Sequence, residues 1–193
     1  FPAGTMVDDR RIETLVPGNM VRSFDHVSGT VKYRTVTRVM KRHPSQLVRV
    51  FLRNGHSLVC TPGHPFYACG GLLDHPQYLP AGFLTSEQMV LRINDGTKTG
   101  EWNQVDRVEV IEATFDGTFG GACPDGFVYN IEVEKDHNYF VDGYLVHNCH
   151  HSVAATRTKI RQHFSGARAT IGFSATPKRA DNKAAGLVYD TVA

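Results

Sequence analysis

The chain has 193 residues, 41% of them hydrophobic and 21% charged, enough for one sizeable core or one core plus a fragment. Twenty-one basic residues against 19 acidic ones leave a formal charge of +2, too even to mark the whole chain as a nucleic-acid surface. No predominantly apolar run reaches the roughly 18 residues that would span a bilayer, so no membrane role is expected.

The opening Phe1-Pro2-Ala3-Gly4-Thr5 lacks the basic and apolar regions of a secretory signal, which makes cytoplasmic residence the expectation. Without a secretory context, Cys60, Cys69, Cys123 and Cys149 are expected as free thiols. Cys149-His150-His151 invites a zinc reading. Adjacent residues of an extended strand point to opposite faces, however, and no C-x-x-C pair accompanies them, so no metal is expected.

In chain order, residues 30–39 alternate in the manner of a strand, and residues 47–52 form a compact β-type run. Arg53-Asn54-Gly55-His56 then supplies a turn before Ser57-Leu58-Val59-Cys60, which predicts a hairpin. Residues 85–88 carry the Ser/Thr-then-acidic-and-amide signature of a helix start. Residues 102–111 and 127–134 return to strand character, and the glycine-rich stretch 114–126 between them predicts a mobile loop. Residues 140–146 predict a final turn and strand. No internal repeat is present.

After Asn148 the period changes. Val153, Ile160 and Phe164 suit one helix face over residues 152–164, residues 168–173 read as a short strand, and Ser174-Ala175-Thr176-Pro177 reads as a turn. The change predicts two domains, 1–148 and 149–193: a mainly β body followed by a short α/β fragment.

Three separated segments carry the chemistry. The start, Phe1-Pro2-Ala3-Gly4-Thr5-Met6-Val7, is followed by Thr61-Pro62-Gly63-His64 and then by residues 128–141 running on to Val146-His147-Asn148-Cys149. In order and spacing they resemble the blocks of the intein family of self-splicing domains across residues 1–149. The resemblance implies a horseshoe-like β fold of the Hint (hedgehog/intein) type, with both ends of the domain at one site. An Asn amide can attack its own main-chain carbonyl to form a succinimide, breaking the bond that follows. Amide nitrogen is a poor nucleophile, so the site must supply alignment and proton transfer.

By this resemblance Asn148 cyclises, and His147 polarises the scissile carbonyl or protonates the leaving peptide. His137 assists Asn148, Thr61 and His64 twist the peptide bond at the other junction, and Cys149 is the acceptor thiol. No cofactor is needed. The family often has Asp where Asn130 stands, and Asn can assist by hydrogen bonding but cannot titrate. Phe1 occupies what resembles the second position of the opening block. The usual first cysteine or serine then either precedes this sequence, was removed, or is bypassed by direct attack of Cys149. Cys60, beside Thr61, is expected in the core. The stretch between His64 and Phe127 is too short for an inserted homing endonuclease, which implies a mini-intein.

Cys149-His150-His151 with Gly172-Phe173-Ser174-Ala175-Thr176-Pro177 resembles a superfamily 2 helicase between its Asp-Glu-Cys-His-His and Ser-Ala-Thr motifs. The partners implied are the chain's own flanking host segments (exteins), with ATP and nucleic acid handled only by the spliced helicase. Two rivals stay open: an autoprocessing domain that cleaves without ligating, and a helicase fragment that binds nucleic acid.

Overall fold

The computed structural model describes residues 1–93 and 99–148. The chain divides into two units, Phe1–Cys149 and His150–Ala193. Cys149 and the helix, strand and turn expected over residues 152–177 lie outside the described residues.

Thirteen strands and three short 3-10 turns make up the described part of the first unit. In chain order the strands are β1 (Met6–Val7), β2 (Arg10–Arg11), β3 (Met20–Asp25), β4 (Thr30–Arg42), β5 (Leu47–Leu52), β6 (Ser57–Cys60), β7 (Pro65–Gly70), β8 (Leu73–Pro80), β9 (Gln88–Ile93), β10 (Gly100–Ile111), β11 (Val128–Val133), β12 (Asn138–Val141) and β13 (Tyr144–His147). The mainly β reading of residues 1–148 holds.

Two long strands organise the body because each serves two ladders. β4 pairs with β3 along Thr30 to Thr35 and with β11 from Val36 to Arg42. β10 pairs with β9 along Gly100 to Gln104 and with β5 from Val105 to Ile111, with a register shift between Val105 and Arg107. A strand that changes partners midway must bend, and the shift supplies the extra twist. The result is an eight-stranded sheet in the order β12-β13-β7-β9-β10-β5-β6, with β8 on the free edge of β7, beside a three-stranded sheet β11-β4-β3. The stretch between His64 and Phe127 is taken up by β7 to β10, two 3-10 turns and their connecting turns and loop, apart from five residues not described.

The hairpin expected at Asn54-Gly55 forms, with Val48 opposite Cys60 and Phe51 opposite Ser57. Asn54 Oδ1 accepts from the His56 N–H at 3.1 Å, and Gly55 takes the positive φ of +86° that the turn requires. Val48, Val50 and Leu52 on the core side of β5 are buried together with Cys60, and Leu47 is buried on the opposite face against Cys123 and Val128.

One element differs from the sequence expectation. Residues 85–87 form a turn leading into β9, not a helix. The capping-type contact exists, since Gln88 Oε1 accepts from both the N–H and the hydroxyl of Thr85 at 2.8 Å. The run Met89-Val90-Leu91 that follows is buried or half-buried against β7 and β10, and this tertiary pairing outweighs the local helix signal. The glycine-rich stretch 114–126 is a loop with one 3-10 turn at Gly120–Ala122. It is tied by hydrogen bonds among Thr114, Asp116 and Thr118 and by Cys123, buried against Leu47 and Val128.

Gly70 and Gly55 share a φ of +86°, but a Cβ on Gly70 would stand 2.8 Å from the Glu87 carbonyl oxygen, whereas one on Gly55 would meet nothing within 4 Å. Gly55→Ala is therefore expected to cost about 1 kcal/mol of stability. Gly70→Ala should cost at least about 2 kcal/mol, because backbone must also move. Urea unfolding of the two variants checks the order, and equal losses would contradict the assigned packing of β7 on β9.

Candidate functional site

The site is built around the last hairpin. β12 and β13 are joined by Asp142-Gly143, both with positive φ, the geometry that matches the twist of a two-residue hairpin turn. Their register sets Asn138 opposite His147 and Tyr139 opposite Val146. Every residue of the hairpin strands except His147 is buried, so the hairpin cannot slip without pulling Tyr139, Phe140, Tyr144 and Leu145 out of the core.

Asn148 follows directly and is 1% exposed. Its N–H donates to the His137 carbonyl at 3.0 Å, one step past the ladder. His137 reaches this position by adopting a left-handed conformation, φ +53°. Of the two orientations of the Asn148 amide, one satisfies both ends: Nδ2 donates to the His137 carbonyl, and Oδ1 accepts from the Val133 N–H at 3.2 Å. The Val133 N–H is turned toward Asn148 where β11 breaks register with β4 between Glu132 and Val133. Finally, His147 Nδ1 lies 2.8 Å from the main-chain oxygen of Asn148. A carbonyl oxygen only accepts, so Nδ1 carries the proton and polarises the carbonyl that Asn148 would have to attack.

The beginning of the chain enters the same region. Phe1 and Tyr129 exchange two hydrogen bonds, Phe1 N donating to Tyr129 O at 2.8 Å and Tyr129 N donating back at 2.7 Å, and Pro2 bridges Val128. Continued backwards, this antiparallel pairing runs toward Asn130. Asn130 Oδ1 accepts from the Tyr139 hydroxyl at 2.7 Å and from the Ile131 N–H at 2.9 Å.

His64 ends a turn that begins at the half-buried Thr61 and is closed by the His64 N–H donating to Thr61 O at 3.0 Å. Ala81 and Gly82 clamp this turn by donating to the His64 and Pro62 carbonyls, each at 2.8 Å. The His64 ring is buried in edge contact with Phe1 at 4.4 Å and also faces Phe66 and Tyr139. Its Nε2 is buried without a hydrogen-bond partner. Phe66 lies opposite Val146, so antiparallel continuation brings His64 level with Asn148. Burial holds its proton affinity well below the usual histidine range, and positive charge at His147 and Arg42 acts in the same direction.

Of the residues singled out from sequence, Thr61, His64, Asn130, His137, His147 and Asn148 are thus all on segments that meet beside the β12–β13 hairpin. Cys149 lies outside the described residues. The part of His137 set against Asn148 is its main-chain oxygen, while its side chain is exposed. Cys60 is in the core as expected, and burial pushes its thiol up to about 12, far from a reactive thiolate. Cys60, Cys69 and Cys123 are free thiols. Sequence reasoning missed the Val133 N–H, the Tyr139 hydroxyl and Tyr78, whose ring meets the His147 ring edge-on at 4.7 Å. The first two rest on a bulge and a cross-strand register, which leave no local signal.

Comparison with solved structures places this arrangement in a known fold. The chain is similar to a bacterial intein-like domain from Clostridium thermocellum (24% identity, TM-score 0.60, covering 77% of this chain and 97% of that one). It is also similar to the DnaX mini-intein from Spirulina platensis (20% identity, TM-score 0.57, covering 76% and 98%) and to an intein from a hyperthermophile (21% identity, TM-score 0.56, covering 67% and 71%). No protein-family model and no curated protein matches the sequence. The fold is that of the inteins and intein-like domains.

The buried neutral His64 has a consequence for stability. Its folded proton affinity is depressed, so below about pH 6.5 the unfolded chain binds a proton that the folded chain refuses. Stability is full above that pH and falls below it by up to about 1.4 kcal/mol per pH unit for each such histidine. His26, exposed and only mildly lowered by burial against the opposing charges of Asp136 and Asp25, adds a much smaller loss in the same direction. Urea unfolding between about pH 7.5 and about pH 5.5 should show this loss, and a smaller one in His64→Phe. An equal loss in both would contradict a neutral buried His64.

Proposed function

We propose that the chain is the splicing domain of a mini-intein. Its Asn148 cyclises to release the segment beginning at Cys149. The hydrogen bond from His147 Nδ1 to the Asn148 carbonyl, with the Asn148 amide fixed at both ends, is the observation that carries this reading.

In the proposed step, Asn148 Nδ2 forms a bond to its own carbonyl carbon and the bond to the Cys149 nitrogen breaks. The proton lost from Nδ2 is balanced by the proton that the leaving amine gains. His147 stabilises the oxyanion that develops between these events, a type of interaction whose removal typically costs about 10²–10³ in rate. Fixing the amide and the carbonyl of one residue by separate hydrogen bonds limits their rotation and so contributes alignment, which for well-oriented groups is worth up to about 7–11 kcal/mol of barrier. His137 assists Asn148 through its main-chain oxygen.

At the upstream junction, a residue preceding Phe1 would continue along the Phe1–Tyr129 pairing toward Asn130, with His64 and Thr61 on the other side. A cysteine there would form a thioester with the upstream segment, the Cys149 thiol would take over that acyl group, and cyclisation of Asn148 would free the amine that converts it to a peptide bond. The match of residues 149–177 to helicase motifs supports a further part of the proposal. Splicing would assemble an Asp-Glu-Cys-His-His motif, whose acidic pair holds magnesium for ATP hydrolysis, so that the unspliced host is inactive.

The test places Cys before Phe1, fuses a foreign segment upstream, and follows the products by mass spectrometry. Joined flanks are expected. In Asn148→Ala release of the downstream segment should stop, and in His147→Ala it should slow by about 10²-fold or more. Released fragments without joining would favour an autoprocessing domain, and no cleavage under any reductant or pH would overturn the proposal.

A further inference from the structure

The His147 ring must keep Nδ1 on the Asn148 oxygen, yet His147 is the one half-buried residue of the hairpin strands. Its plane is met by Tyr78, edge-on at 4.7 Å and 65°. Tyr78 lies on β8, a strand containing Pro76 and Pro80 that, among the described residues, pairs only with β7. Its hydroxyl reaches across to the turn after β3, where it lies 2.9 Å from His26 Nε2.

His26 is held in turn. Its ring contacts Phe24 at 5.1 Å and Tyr67 at 4.9 Å, and the turn that carries it is closed by Asp25 accepting from the Val27 and Ser28 N–H groups. Burial raises the proton affinity of Tyr78 and lowers that of His26. Near neutral pH the hydroxyl therefore keeps its proton and donates it to a neutral Nε2. A ring serving only to fill space would need no hydroxyl, and this one is used to tie the edge strand β8 to the exposed turn that carries His26. The tether sets the position of the Tyr78 ring, and the ring sets the rotation of His147.

We propose that Tyr78 and His26 act together as positioning residues for His147, holding its imidazole in the rotation and Nδ1–H form that meets the Asn148 carbonyl. The rate part of this inference rests on the cleavage reading above; the ring-orientation part does not.

The experiment uses the full, uncleaved chain with ¹⁵N-labelled histidine, the His147 signal being assigned by its loss in His147→Gln. The imidazole nitrogen shifts report which nitrogen carries the proton, and release of the segment after Asn148 is timed in parallel. In the unaltered chain His147 should be in the Nδ1–H form. Tyr78→Phe and His26→Ala should both move His147 toward a mixture of forms and slow release by between about tenfold and a hundredfold. His26→Gln, whose amide oxygen can accept the same hydroxyl, should restore both readouts. Tyr78→Phe keeps the packing, so the test does not depend on whether Tyr78→Ala folds.

Unchanged nitrogen shifts and rates in Tyr78→Phe and His26→Ala would overturn the inference. So would a failure of His26→Gln to do better than His26→Ala. If the unaltered chain releases nothing, the cleavage reading fails by itself, and the nitrogen shifts still decide whether Tyr78 and His26 orient His147.

Discussion

The hydrogen bond from His147 Nδ1 to the Asn148 main-chain oxygen exists only if three separate constraints hold together. The β12–β13 register must bring His147 opposite Asn138. The chain must turn back through a left-handed His137 so that its carbonyl meets Asn148. The break between β11 and β4 must leave the Val133 N–H facing the Asn148 side chain. Each constraint is anchored in buried residues: Tyr139, Phe140, Tyr144 and Leu145 in the hairpin, and Ile131 and Val133 in β11. A surface hairpin could offer the same residues, but not with the same fixed geometry. The core thus does for Asn148 what a bound ligand does in other sites, removing rotational freedom before any reaction begins.

The long strands explain how two distant parts of the sequence reach this place. β4 carries β11 on its second half, and β11 holds both the Phe1 backbone and the Val133 N–H. The beginning of the chain and Asn148 are therefore attached to opposite ends of one six-residue strand. His64 completes the site from the other sheet because β7 pairs with β13. A buried neutral imidazole with an orphaned Nε2 is costly to maintain, and this cost supports the proposed role of His64 at the upstream junction.

Much of this was legible in the sequence. Strands β4, β5, β6, β10 and β11 follow from alternation and β-branched content, and the Asn54-Gly55 turn fixes one hairpin. The residues His64, His147 and Asn148 stand out through their motif spacing. What escaped depends on partners distant in sequence. β8 is polar and contains two prolines, so nothing local marks it as a strand, yet its edge position tolerates them and it delivers Tyr78. Residues 85–88 carry a genuine capping contact that serves a turn, because the β-type run behind it is claimed by β7 and β10. His137 was singled out for its imidazole, whereas its backbone conformation and carbonyl are what touch Asn148, a property that no residue name encodes.

The central claim is that the Asn148 amide attacks its own carbonyl. Mass analysis of the C-terminal peptide of the released first unit tests it most directly. The account predicts that peptide to end in an aminosuccinimide, one water lighter than the peptide ending in a free Asn148 carboxylate, and to appear only while Asn148 is present. A product that carries the ordinary carboxylate from its first appearance, or that forms equally well in Asn148→Ala, would show that water or another group breaks the bond and would contradict the account.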